Sequence, residues 1–418
     1  MLRSIEEEVC EEHARQATFL WLLRDAAVRD VAYDLTDLAE LDDRLEAHLD
    51  GLRLAGELGW EACAALLDEP EGGEIFAAAL LAVERWDLRG VARVLDLGAG
   101  APDLARGFAS ALGWTPVARV QRLLPGLLAG RCPPALHWLG ISACAAHRLD
   151  PGPPLGYALL SDQPTLRARA LRLAGELGRV NLLPEILQAF TAESEVVRFW
   201  AVWSAALLGE PSAAQPLWRF ATQGGRHAER AVDLAMRRMD PAVATTWLYS
   251  LANTSPDIRV VLSAAGALGD PVMIPWLLER TAHPATARLA GGAITRITGV
   301  DLTEEKLDRK PPEGAQSGPS DDPDDEDVSL DPEESLPWPD PAALTGWWRT
   351  RATDFKRGTR YLLGHPMAPE HLERVLRDGA QPARAAAAME LSLRDRGRPL
   401  FEVRAPGLVQ ARALAAAR

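Results

Sequence analysis

The sequence predicts an all-α fold, an α-solenoid of helix-turn-helix repeats with a period near 30 residues. The first observation is direct repetition. Leu171-Arg-Leu-Ala-Gly-Glu-Leu-Gly178 is followed by Val202-Trp-Ser-Ala-Ala-Leu-Leu-Gly209, Leu262-Ser-Ala-Ala-Gly-Ala-Leu-Gly269 and Ala293-Ile-Thr-Arg-Ile-Thr-Gly299. The closing glycines lie 31, 60 and 30 residues apart, and a degenerate copy, Val232-Asp-Leu-Ala-Met-Arg-Arg-Met239, fills the long gap. Second, each unit adds a short apolar helix: Leu183-Pro-Glu-Ile-Leu-Gln-Ala-Phe190, Gln215-Pro-Leu-Trp-Arg-Phe220 or Ile274-Pro-Trp-Leu-Leu-Glu279. Two apolar helices per fixed period is the pattern of a solenoid, in which each unit buries its face only against its neighbours. Third, no segment alternates at period two with Val, Ile and Thr, so no sheet is expected.

Taken in order, a helix over about 5–29 carries Phe19, Leu20, Leu22 and Leu23 and opens a capping region over 1–50. The array then spans 51–308. Its early copies are Leu52-Arg-Leu-Ala-Gly-Glu-Leu-Gly59, identical over eight residues to 171–178, then Phe108–Gly113 and Ala143–Asp150. The glycine closing each first helix suits the left-handed residue that follows a helix end. Proline near the start of each second helix removes an N–H that has no partner there. Small residues at Ala174, Ala205, Ala206, Ala264 and Ala265 let first helices approach closely. Residues 309–340 are rich in Pro, Gly, Ser, Asp and Glu and read as an acidic disordered linker. A C-terminal helical cap over 341–418 follows, with helices near 341–354, 369–379 and 382–395. Leu344, Trp347, Leu362, Leu363, Leu372 and Leu376 are expected to cover the apolar end left after Gly299.

Composition bounds the function. The 418 residues are 47% hydrophobic and 25% charged, ordinary for a globular chain. No run of 18 apolar residues would span a membrane. Met1-Leu-Arg-Ser-Ile-Glu-Glu-Glu8 offers no apolar segment before a cleavage site. Four cysteines, Cys10, Cys63, Cys132 and Cys144, include no CxxC and read as reduced thiols. The expected compartment is therefore the cytoplasm. Net charge is −14; Glu313–Asp340 alone holds eleven carboxylates and no cation, while 341–418 carries +7. Residues 161–300 carry only +2, which makes nucleic-acid binding a poor expectation, since that needs clustered cations.

Several motifs carry a resemblance. Val197-Arg198, the Ala-Ala-Leu-Leu-Gly stretch and the apolar second helix resemble the short HEAT-like repeats of phycobilin lyases. Phe19-Leu-Trp-Leu-Leu-Arg24, Cys144-Ala-Ala-His-Arg148, Ile297-Thr-Gly-Val-Asp-Leu302, Leu336-Pro-Trp-Pro-Asp340 and Arg360-Tyr-Leu-Leu-Gly364 resemble, in order, a bacterial family of HEAT-like repeat proteins. That likeness covers nearly the whole chain. It implies the fold, supplies no catalytic residues, and points to type VI secretion as a setting.

Four constellations could carry chemistry. Arg93-Val-Leu-Asp-Leu-Gly-Ala-Gly100 looks like the first motif of an S-adenosylmethionine methyltransferase, but that motif needs a strand before its glycine turn and an acidic residue some 20 positions on. A helix end is the better reading. Cys132, His137, Cys144 and His147 are soft ligands close in sequence, yet His137, Cys144 and His147, spread along one helix of about 134–149, cannot all reach one ion; Cys144 and His147 with outside ligands are the alternative to buried thiols and satisfied histidines. Trp218, Trp247 and Trp276 recur every 29 residues, either as core stacking or as an aromatic surface for a partner. Trp347-Trp348-Arg349 with Arg351, Lys356, Arg357 and Arg360 is the one dense basic patch beside aromatics. It could meet phosphates, a protein, or the acidic tract, but a solvated cap face with its tryptophans in the core is the better reading.

No GxSxG, HExxH or Walker sequence occurs, so no catalytic, cofactor or metal residue is assigned. The expected function is a non-enzymatic protein-binding scaffold or adaptor, possible contacts being Trp218, Trp247, Trp276, Trp347, Trp348, Arg349 and Arg351. An accessory or immunity-like role would follow from the secretion setting. Alternatives are a HEAT-like DNA glycosylase or other nucleic-acid enzyme, and a lyase or chaperone-like role on a bound cofactor.

Overall fold

The computed structural model describes residues 4–98, 101–130, 132–255, 257–312, 315 and 331–416. It is an all-α fold of helix-turn-helix repeats, with 22 α-helices among the described residues. Two compact units divide it. One comprises Met1–Ser204, Arg377–Arg384 and Gly397–Arg418; the other Ala205–Leu376 and Ala385–Arg396.

In the first unit, helices Ile5–Ala27, Gly72–Arg85, Pro102–Trp114, Pro134–Ala146 and Pro164–Glu176 pack one on the next. Helices Glu57–Ala65, Leu88–Gly98, Val117–Leu127 and Pro153–Leu159 form the second member of each pair. The first helix starts at Ile5 because Ser4 and Glu7 form a reciprocal capping box. Inside, Phe76 stacks on Trp21 and meets the edge of Trp114, each at 5.6 Å between centroids. The Trp21 indole N–H donates to Ser110 at 2.9 Å, so the buried ring leaves no polar atom unmet.

The two identical octapeptides fold differently. Around Gly178 the helix runs through Gly175 to Glu176, and Gly178 takes φ +68°. In the N-terminal copy the break comes three residues earlier. Gly56 takes φ +61°, a new helix starts at Glu57, and Gly59 is helical. Packing decides between them. A Cβ on Gly59 would lie 2.1 Å from the Leu52 carbonyl, so the second helix folds tightly against the first. Glu176 is buried among Arg148, Arg169 and Arg172, whereas Glu57 sits at the surface with Arg85 as partner. The helix in the Ala143–Asp150 copy ends without a glycine. Arg148 itself takes the left-handed conformation at φ 51°, costing about 1 kcal/mol, and its guanidinium is tied to Leu400 and Glu402.

In the second unit, helices Ala228–Arg238, Ile258–Leu268 and Pro284–Thr298 pack in succession, each with an outer partner among Ala214–Gln223, Pro241–Thr254 and Ile274–Arg280. Helix Pro341–Arg351 packs on Ile274–Arg280, with Leu344 wholly buried. Gly269 and Gly299 cap their helices in the left-handed region, while the glycine-less copy ends at Met239 in an extended conformation. The expectation of no sheet needs one correction. Tyr361–Leu362 pairs with His365–Pro366 through Leu363 and Gly364, both at positive φ as a two-residue hairpin turn requires. The central stretch of the acidic span, 316–330, lies outside the described residues. Its flank folds onto the array: Asp331 meets Arg288 at 2.6 Å, Glu333 pairs with Arg259, and the Arg288 guanidinium lies 4.8 Å from the Trp338 ring centroid.

Every helix end leaves carbonyls without intrahelical partners. Here residues late in the sequence meet them. In the second unit, Arg360 donates to Leu268, Arg237 and Met236, Tyr361 N–H donates to Gly269, and Arg396 donates to Leu208. The hairpin turn donates from Leu363 to Arg296 and from Gly364 to Ile297. In the first unit, Leu400 N–H donates to Glu176 at 2.7 Å, while Arg148 donates to the Leu400 carbonyl at 2.7 Å. Arg24 donates to the carbonyls of Arg404 and Ala405, and Asp42 accepts from Gly407.

Two predictions follow from these contacts. A Cβ at Gly178 would stand 2.2 Å from the Gly397 carbonyl, whereas one at Gly209 meets nothing nearer than 3.8 Å. Gly209→Ala should cost only the left-handed penalty of about 1 kcal/mol, and Gly178→Ala several times more. Equal melting temperatures for the two variants would contradict the close backbone approach. The second concerns acid. Burial pushes the Glu176 carboxyl pKa up, but Arg172, Arg148 and Arg169 outweigh it and hold the value at about 2. The contribution, on the order of 3 kcal/mol, is complete above the ordinary glutamate value near 4.3 and is lost as pH falls toward 2. The stability gap between wild type and Glu176→Gln should therefore narrow over that window in urea melts. A gap independent of pH would refute the assignment.

Candidate partner-binding surface

The sequence singled out three tryptophans at 29-residue spacing, and the second unit carries all of them on its outer helices. Each is partly buried. Trp218 and Trp247 touch, their ring centroids 4.5 Å apart and tilted by 51°. The contact joins helices Ala214–Gln223 and Pro241–Thr254, whose Leu217, Ala221, Ala244, Leu248 and Leu251 take the buried side. On the same helix Val243, one turn before Trp247, stands 47% exposed, and Tyr249 stands 41% exposed. Trp276 carries the Arg280 guanidinium 5.2 Å from its centroid. The regular spacing thus yields one tilted ring pair and one cation–π pair rather than a continuous ladder.

A second aromatic group lies at the end of the same unit. Trp347 is 6.4 Å from Trp348, Trp348 is 5.5 Å from Phe355, and Phe355 is 5.2 Å from the buried Tyr361. Arg349, Arg351, Lys356 and Arg357 are all exposed beside it. The loop holding the last two is pinned. The Tyr361 hydroxyl accepts from Lys356 N–H at 2.9 Å, and buried Asp270 accepts from Gly358 N–H at 2.9 Å. Arg360, which the sequence placed in this patch, is corrected out of it: its guanidinium is spent on the three carbonyls already named. Phe355 was missed, because a lone aromatic after a helix has no periodicity to mark it.

The other two constellations resolve into ordinary structure. Residues 93–98 of the methyltransferase-like motif end helix Leu88–Gly98, so the strand that motif needs is replaced by helix; Ala99 and Gly100 lie outside the described residues. The helix expected over 134–149 closes at Ala146, leaving His147 beyond it. His147 Nε2 pairs with the Leu112 carbonyl at 2.9 Å, and Cys144 is fully buried, its thiol pushed up to about 12 chiefly by burial. Among the described residues no group of three His, Cys, Asp or Glu side chains is placed to hold a metal ion. Nor is any helix long and apolar enough to cross a membrane.

With this geometry in place, comparison with known proteins adds one finding: residues 152–232 match the family model described as HEAT repeats. No curated protein and no solved structure matches the chain. The matched stretch includes the Gly178 and Gly209 copies. HEAT repeats commonly serve as scaffolds for protein interaction, their stacked helices presenting long surfaces.

The cysteines offer a check on this packing. Burial drives Cys63 and Cys144 up to about 12, Cys10 is buried, and Cys132 alone is partly open. One thiol should react with a disulfide reagent in the native protein at pH 8, and Cys132→Ser should abolish that phase. Fast reaction of two or more thiols would contradict the buried placements.

Proposed function

We propose that this chain is a non-enzymatic scaffold that binds another protein through the outer helices of its second unit. The observation that supports this best is the Trp218–Trp247 contact, both rings partly open, on a helix pair that also exposes Val243 and Tyr249. A tryptophan wholly in the core would be explained by packing. One left partly open among exposed apolar neighbours has the character of an interface anchor, where tryptophan, tyrosine and arginine dominate binding energy. Trp276, Trp347, Trp348, Arg349 and Arg351 extend the same reading. The type VI secretion setting rests on the five-motif resemblance alone, and with it any accessory or immunity-like role.

The test uses the full chain from its native source, with bound proteins identified by mass spectrometry. A partner retained by wild type should be lost by the Trp218→Ala and Trp247→Ala pair, about thirtyfold in affinity for one anchor worth roughly 2 kcal/mol. Both variants should keep a near-native melting temperature. A partner held equally by wild type and variant would remove these residues from the interface.

A further inference from the structure

Resting on the scaffold reading, we infer that the Trp347–Trp348–Phe355 face with its cations docks an extended acidic peptide segment bearing apolar anchors. The aromatic part supplies the seat. Three ring-to-ring spacings of 6.4, 5.5 and 5.2 Å run from Trp347 to Tyr361, and the inner end is fixed because Tyr361 is buried. The two spacings between the partly open rings, 6.4 and 5.5 Å, reach at most about four residues of extended chain at roughly 3.3 Å each. Alternate side chains of such a segment would meet the rings while the others met the rim.

Charge selects the occupant. Arg351 has Asp354 at 3.6 Å, but Arg349, Lys356 and Arg357 have no carboxylate within ion-pair distance among the described residues. The cations are therefore exposed on the same stretch of chain as the partly open rings. Their backbone is also preorganised: Lys356 and Gly358 are held through Tyr361 and Asp270, so little ordering remains to be done on binding. A nucleic acid fits less well. Asp340 caps the helix that carries Trp347 and Trp348, and Asp354 lies 3.6 Å from Arg351. A polyphosphate reaching past the patch would meet those carboxylates, whereas a short acidic segment engages the cations locally.

The experiment is fluorescence polarisation on the full chain. The first probe is a fluorescein-labelled 12-residue peptide of alternating Glu and Leu with one central Trp. The others are its Lys-for-Glu counterpart and a 12-nucleotide oligothymidylate. The acidic peptide should bind at least tenfold more tightly than the basic one and weaken as salt rises. Arg349→Glu combined with Lys356→Glu should reduce its affinity at least tenfold while leaving the melting temperature unchanged, since both residues are exposed. Equal binding of the two peptides, indifference to the double variant, or tighter binding of the oligothymidylate would each overturn the inference. So would binding that appears only when the six carboxylates from Asp321 to Asp327 are replaced by amides, which would make the chain's own tract the occupant. Self-association abolished by the double variant would assign the face to a second copy and equally overturn it. The scaffold reading is tested separately, by whether the natural partner is lost with Trp218→Ala and Trp247→Ala.

Discussion

The carbonyl groups at the ends of the stacked helices are the constraint on which the rest of the structure depends. Each helix leaves its last carbonyls unmet, and a repeat array sets many such ends close together. Leaving them buried and unmet would cost on the order of 1–3 kcal/mol each. The late part of the sequence meets that demand with Arg360, Arg396, Tyr361, Leu363, Gly364 and Leu400 as donors. The repeat glycines then acquire a second role. Gly178, Gly269 and Gly299 end helices in the left-handed region, and each lacks the Cβ that would strike a backbone from the C-terminal segment at 2.2, 2.6 or 2.7 Å.

Arginine is the residue that can make these contacts. Only three of the 45 basic residues are lysines. Burial pulls Arg169, Arg296 and Arg404 down to about 10, so each still carries its charge at neutral pH. A lysine lowered by the same amount would fall to about 8 and begin to lose its proton. The planar fork also serves several acceptors at once, as Arg360 does with three carbonyls and Arg237 does with Asp233 and Glu390. The acids are outnumbered: Glu176 faces three arginines, and Asp25 faces Arg29, Arg106 and Arg404. Removing the Glu176 carboxylate therefore strands the largely buried Arg148 and Arg169, the costly way to break such a network.

The helices were legible because local rules set them: period, closing glycines, and prolines at second-helix starts. What escaped were contacts set by tertiary packing, whether seven positions apart or hundreds. Nothing near Leu52 shows that its carbonyl will press on Gly59 and move a helix break from its place in an identical octapeptide. Nothing in Arg360-Tyr-Leu-Leu-Gly364 shows a hairpin whose turn caps the helix ending at Thr298. Yet four of the five motifs behind the family resemblance fall at such contacts, through Arg24, Arg148, Thr298–Gly299 and Arg360. Trp338, in the fifth, lies against Arg288. Those motifs hold the chain to itself, which is why they supply no chemistry. The aromatic surface was legible as spacing, but spacing alone could not say that Trp218 and Trp247 would touch while Trp276 took an arginine.

That division bears on where the second unit can bind. Its helix C-termini at Leu208, Arg237, Leu268 and Ile297 are already bonded by Arg396, Arg360 and the hairpin, so a partner approaching there would have to displace hydrogen bonds before gaining any. The outer helices impose no such exchange. Trp218, Trp247, Trp347 and Trp348 are partly open, and Val243 and Tyr249 stand in solvent. Covering them gains apolar burial, at roughly 25 cal/mol per Å², without breaking a bond the chain needs for itself. On the proposed scaffold function, self-fastening on one set of helix ends would direct recognition to the aromatic outer helices, where the exposed cations of Arg349, Lys356 and Arg357 would add a preference of sign.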